Sequence, residues 1–110
     1  MKGNNKITYQ EKDLILARYA KALSHPARIA ILRHLSSLQS CCFTEIANDL
    51  PIAYSTVSEH LTELKNAGLI QGSIEPPKVQ YCINCENWKL VKKYLNEFTS
   101  MEIAKNKTNK

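Results

Sequence analysis

The chain has no long apolar run. Nothing in it approaches the ~18 consecutive apolar residues that a membrane span needs. Met1 to Gln10 is mostly polar, and Leu14 to Ala17 is far too short for the apolar core of a signal peptide. A cytoplasmic address with no membrane partner is therefore expected. Glycine is scarce: the three present are isolated, so no glycine-rich loop is available to cradle a phosphate. The three histidines form no ligand set: His25 falls in the first turn and His34 on the polar side of one predicted helix, and His60 on another. No Ser/His/Asp or Cys/His pairing stands out, which argues against an enzyme. No segment repeats another.

Acid is also short. Ten Asp and Glu face fifteen Lys and Arg, which leaves a net charge of +5. A basic balance suits an acidic partner, and nucleic acid is the first candidate. The 110 residues allow one small domain, and the 44% of hydrophobic residues is enough for a core. A monomer of this size buries only a modest share of its surface, so pairing with a second copy would help its stability. Four cysteines (Cys41, Cys42, Cys82, Cys85) are expected as reduced thiols, because nothing points to secretion.

Periodicity divides the chain into a loose N-terminus (1–8), one folded domain (9–103) and a loose basic tail (104–110). Gln10 to Leu23 reads as a helix with Leu16, Ala20 and Leu23 on one face. Ser24 reads as the N-cap of a second helix, with His25 and Pro26 in its first turn. That helix runs to about Leu38, with an apolar stripe of Ile29, Leu32 and Leu35 thickened by Ile31 and Leu38. After Cys41-Cys42-Phe43, a short helix is expected over Thr44 to Leu50, stopped by Pro51. Another follows over Ser55 to Ala67, with Val57, Leu61 and Leu64 inward and Gly68 at its C-terminal stop. Leu69–Glu75 and Lys78–Ile83 read as two strands around Pro76-Pro77. A last helix spans about Glu86 to Ile103, with a stripe of Trp88, Val91, Tyr94, Leu95, Phe98 and Met101.

The expected class is mainly α with a small β hairpin, in the order α-α-α-α-β-β-α: a winged helix-turn-helix. Two short helices joined by a tight turn describe the helix-turn-helix over Thr44 to Leu64, and the hairpin that follows is the wing. Tyr54, Ser55, Thr56, Ser58, Glu59 and Thr62 carry hydroxyl and carboxylate groups able to reach phosphates and base edges in a major groove. Glu59 suits a cytosine amino group and equally a solvated surface. His60 either bonds locally or touches a phosphate. Lys65 and, on the wing, Lys78 are expected to neutralise phosphates, and Gln80 completes the candidate contacts. No Arg or Lys occurs in this helix before Lys65, so bidentate guanine contacts from it are not expected.

These pieces together resemble the ArsR/SmtB family of regulators. The resemblance rests on Ala22-Leu23-Ser24-His25-Pro26-Ala27-Arg28-Ile29-Ala30-Ile31-Leu32, then Ile46-Ala47, Ser55-Thr56-Val57-Ser58-Glu59-His60-Leu61 and Leu64 to Ile70. It covers roughly Leu14 to Ile83. It implies a homodimer that binds an imperfect palindrome in double-stranded DNA and leaves it when an inducer arrives. The resemblance also implies a dimer interface of first and last helices, for which Leu14, Trp88, Val91, Leu95 and Phe98 are the candidates; packing of the last helix's stripe onto its own domain is the alternative. One departure is Ala53, where the family often has a serine cap; Ser55 would have to cap instead, or the helix start differently.

Metal-sensing members carry a Cys-x-Cys pair where this chain reads Cys42-Phe43-Thr44. The last helix has no histidine, and its acids are Glu86, Glu97 and Glu102, so a zinc site there is not expected. In winged folds the strand before the helix-turn-helix often pairs with the second wing strand. That pairing would set Cys41 and Cys42 beside Cys82, with Cys85 just beyond. Such thiols suit a soft metal or an arsenical, or could oxidise to a disulfide; packed core cysteines are the simpler alternative. Two other function classes stay open: a winged-helix protein-interaction module, and a thiol-based metal- or redox-responsive protein.

Overall fold

Acidic side chains open the first helix. In the computed structural model, α1 (Glu11–Ala22) begins where the Gln10 N–H donates to the Asp13 carboxylate at 3.0 Å. Glu11 and Asp13 in the first turn and Lys21 in the last complement the helix dipole. The structure describes residues 8–37, 51, 53–75 and 78–104, with the backbone alone at 54, 73–75 and 78–80. The helix expected over Thr44 to Leu50, and Cys41 and Cys42 before it, lie outside the described residues.

The inward face of α1 differs from the expected one. Tyr19 and Ala22 are buried, with Ile15 and Leu23 packed beside them, whereas Ala20 is exposed. The buried face follows the bulky Tyr19, an amphipathic residue whose ring outweighs its hydroxyl. The cap of α2 (Pro26–Ser37) also moves by one residue. Its N-cap is His25: the His25 carbonyl accepts from Ile29 N–H, and its ring Nδ1 accepts from Ala27 N–H at 3.0 Å. Ser24 instead turns back, its hydroxyl donating to the Lys21 carbonyl at the end of α1.

Helix α3 (Tyr54–Asn66) packs on α2 and on the first strand. Val57, Leu61 and Leu64 are all 0% exposed, as their i, i+4, i+7 spacing predicts. Full burial of each such side chain stabilises the fold by about 1.5–3 kcal/mol. The hairpin is antiparallel, β1 (Ile70–Glu75) with β2 (Lys78–Ile83), from Ile70 opposite Ile83 to Glu75 opposite Lys78. Buried Tyr81 lies across from Gly72. Asn84 then caps α4 (Cys85–Thr99), its side-chain oxygen accepting from Asn87 N–H at 3.1 Å. The core joins Ile31, Leu32 and Leu35 of α2 to the α3 stripe, Leu69, Ile70, Tyr81 and Val91. Among the described residues no helix is long and apolar enough to cross a membrane.

Candidate nucleic-acid interface

Burying Val57, Leu61 and Leu64 turns the opposite side of α3 to solvent. Ser55, Glu59 and Thr62 fall at i, i+4 and i+7 on that side and are exposed, as is Lys65; Thr56 and Ser58 are half-buried. The Thr62 hydroxyl donates to the Ser58 carbonyl at 3.0 Å, which fixes its rotamer and leaves its lone pairs available. Ala53 is the N-cap and offers no side-chain bond, and Ser55, already inside the helix, does not replace it. On the wing, Lys78 pairs across from Glu75 and Gln80 from Ser73. Tyr54 opens the helix.

The far end of α3 is closed by backbone geometry. Gly68 adopts φ +88°, its N–H reaching the Lys65 carbonyl while Leu69 N–H reaches the Leu64 carbonyl. That is the Schellman closure expected of a C′ glycine. The Gly68 carbonyl accepts from the Asn87 side chain at 2.8 Å, so the end of α3 is tied to the start of α4.

Two arginines that sequence reasoning passed over hold α3 from behind. Arg18 of α1 donates to the Asn66 carbonyl at 3.2 Å, at the helix C-terminus. Arg28 of α2 donates through Nε to Nδ1 of His60 at 3.1 Å. His60 is thus turned toward α2 rather than outward, with its ring centroid 4.4 Å from that of His25. Burial first, then the neighbouring His25 and Arg28, hold the His60 imidazole below its ordinary pKa of 6.5, against the opposing pull of Glu59 and Glu63. Arg28 was visible as part of the Ser24–Arg28 string. Its contact 32 positions away was not, because spacing carries no information about which loops close.

Comparison with known proteins fits this arrangement. Residues 25–71 match the profile described as "Bacterial regulatory protein, arsR family", a span that runs from His25 into β1. The chain is 33% identical over 91 residues to the "Cadmium resistance transcriptional regulatory protein CadC homolog" of Staphylococcus aureus, across 77% of this chain and 75% of that one. The chain belongs to the ArsR family.

A second ArsR relative is the transcriptional regulator CmtR of Mycobacterium tuberculosis, 32% identical over 78 residues, 70% of this chain. The alignment spans 64% of CmtR's length. The NMR structure of CmtR, a cadmium metal-sensor, superposes with a TM-score of 0.54 at 29% identity over 86% of this chain and 95% of its own. An ArsR-like regulator from Rhodococcus sp. RHA1 shares the fold, with a TM-score of 0.66 at 22% identity over 79% of this chain and 81% of its own. ArsR relatives of this kind are transcriptional regulators and not enzymes, as the sequence led one to expect.

Cadmium is the metal named for the CadC homolog and for the CmtR structure. Among the described residues of this ArsR chain, no group of three or more His, Cys, Asp or Glu side chains could hold a metal ion. Cys85 is free and exposed at the start of α4. Cys82, on β2, is disulfide-bonded, which corrects the expectation that all four cysteines are reduced thiols. Both border an open apolar hollow of about 710 Å³ between α2, β2 and α4, with Leu32, Leu35, Ile83 and Trp88.

The candidate interface residues separate into two groups. Leu14 and Phe98 are exposed, at 57% and 53%. Val91 is 1% exposed in its own core, and Trp88 and Leu95 pack partly against that core. Met101 and Ile103, at 55% and 74% exposed, extend the outer surface beyond the end of α4 at Thr99.

Proposed function

We propose that this ArsR chain is a sequence-specific DNA-binding repressor, acting in the cytoplasm as a homodimer on an imperfect palindrome and leaving it when an inducer binds. The observation that carries the reading is α3 itself. Three apolar side chains anchor it at 0% exposure, its outer face is lined by Ser55, Glu59, Thr62 and Lys65, and a hairpin follows directly. A helix so mounted suits a major groove, with the wing beside it along the backbone. Tyr54, Thr56 and Ser58 position it, and Lys78 and Gln80 serve from the wing. The exposed apolar side chains Leu14, Phe98 and Met101 support a partner surface along the α1–α4 groove, which Leu16 and Tyr94 also line. The direct test is selection of duplexes from the genome with the purified protein. Enrichment of a two-fold related sequence supports the repressor; no enrichment of any duplex favours a protein-interaction module.

A thiol-based inducer response is the second reading, and the disulfide at Cys82 favours it. Oxidation of a dithiol by an external two-electron oxidant such as diamide, which takes up both electrons and both protons, would form that disulfide and lock the second wing strand to another part of the chain. A soft metal or an arsenical would engage the same thiols in their reduced form. Such an effector acts only by preferring one of two DNA-binding states. Zinc, arsenite and diamide titrated against the reduced protein–operator complex test this, with Cys42→Ser/Cys82→Ser as control. Release by any one of them from the wild type, absent in the double variant, is the expected result. Unchanged affinity in every titration would leave the cysteines with a structural role alone.

A further inference from the structure

One guanidinium joins three elements at the back of the DNA-facing helix. Arg28 Nη1 reaches the Ala22 and Lys21 carbonyls at the end of α1, at 3.4 and 3.5 Å. Its Nε reaches His60 Nδ1, in the middle of α3, at 3.1 Å. The His25 ring lies against His60 at an interplanar angle of 47°, and its own Nδ1 is occupied by the Ala27 N–H that starts α2. Arginine is always charged and has no acceptor atom. Only a neutral imidazole protonated on Nε2 can therefore receive the Arg28 bond. A proton on Nδ1 would set N–H against N–H and an imidazolium against a guanidinium, beside the second imidazole.

We infer that Arg28 is a positioning residue for the recognition helix, and that proton uptake by His60 opens this junction and weakens discrimination of the operator. The inference rests on the DNA-binding reading above. The groups facing His60 set its direction. From α2 come His25 and Arg28, which disfavour the cation together with burial; from its own helix come Glu59 and Glu63, which favour it but do not prevail. The folded-state pKa is thus depressed below 6.5. The junction is intact above that value and is lost as pH falls through the depressed folded pKa. Over the same window the unfolded chain takes up the proton first, so stability declines with acid. An added charge on α3 also attracts phosphate on every sequence alike. The informative quantity is therefore the ratio of operator to random-duplex affinity, not either alone.

The test measures that ratio between about pH 7.5 and 5.5, the range where histidine titrates, alongside nitrogen-detected NMR of the His60 ring in the DNA-free protein. The wild type is expected to show an unprotonated Nδ1 near neutrality and a several-fold loss of discrimination in acid. His60→Gln, whose amide oxygen accepts from Arg28 at any pH, is expected to flatten the profile. Arg28→Met is expected to raise the His60 titration midpoint, a readout that a merely structural arginine would not move. A His60 protonated on Nδ1 at neutral pH overturns the inference, as does a His60→Gln profile as steep as the wild type. If a variant does not fold, the wild-type tautomer and titration decide. Absence of binding to any duplex, with tautomer and titration as expected, overturns the DNA reading and the operator half of the inference, and supports the junction itself.

Discussion

Single residues carry the turns between elements. Gly68 sits at φ +88°, where a side chain is strained, and a Cβ there would lie 3.0 Å from the Asn87 amide nitrogen. Gly68→Ala should therefore lower stability by about 1–2 kcal/mol, readable as a lower midpoint in urea unfolding; an unchanged midpoint would mean that Asn87 and the backbone relax freely. Lys65 is exposed on the last turn of α3. If it neutralises one phosphate, Lys65→Ala should weaken binding to all duplexes alike and reduce the salt slope by about one. A slope unchanged from the wild type would remove Lys65 from the interface. Val91 shows why a residue's stripe does not name its neighbour. It is 1% exposed in its own core, so a charge there would unfold the chain rather than separate two copies.

Elements were legible to different degrees. The α3 stripe, the hairpin and the Gly68 stop follow from spacing and from glycine's freedom at positive φ, and the structure has them in place. The buried face of α1 lies one position from the one its spacing predicts, because Ala20 and Tyr19 compete for the core and only packing decides. The α2 cap shifted from Ser24 to His25, since a histidine ring nitrogen can do the work of a hydroxyl. Arg18 and Arg28 behind α3 were not legible, because each bond depends on tertiary closure. The start of α3 remains without a side-chain cap at Ala53, whose φ −64° and ψ 148° already suit one. Ala53→Ser should stabilise the protein by about 1 kcal/mol, seen as a higher urea midpoint. No gain would mean that the N-terminal N–H groups are already satisfied.

At the scale of the whole molecule, a basic chain presents a polar helix face and, between α1 and α4, a groove of apolar and charged side chains. The groove between α1 and α4 is bordered by Leu16, Tyr94, Phe98 and Met101, with Leu14 exposed on α1. Leu14→Glu with Phe98→Glu should convert a dimer to a folded monomer in light scattering, since neither side chain belongs to the core. A wild type that scatters as a monomer at micromolar concentration would remove the partner surface. Operator binding is the centre of the account. Its most direct test is a fluorescence anisotropy titration of the selected duplex and of a random duplex of equal length, over a series of salt concentrations. Both affinities should fall linearly on logarithmic axes, as phosphate neutralisation requires, while the selected duplex stays about 10³-fold or more tighter. Equal affinity for the two duplexes, or binding indifferent to salt, would contradict it.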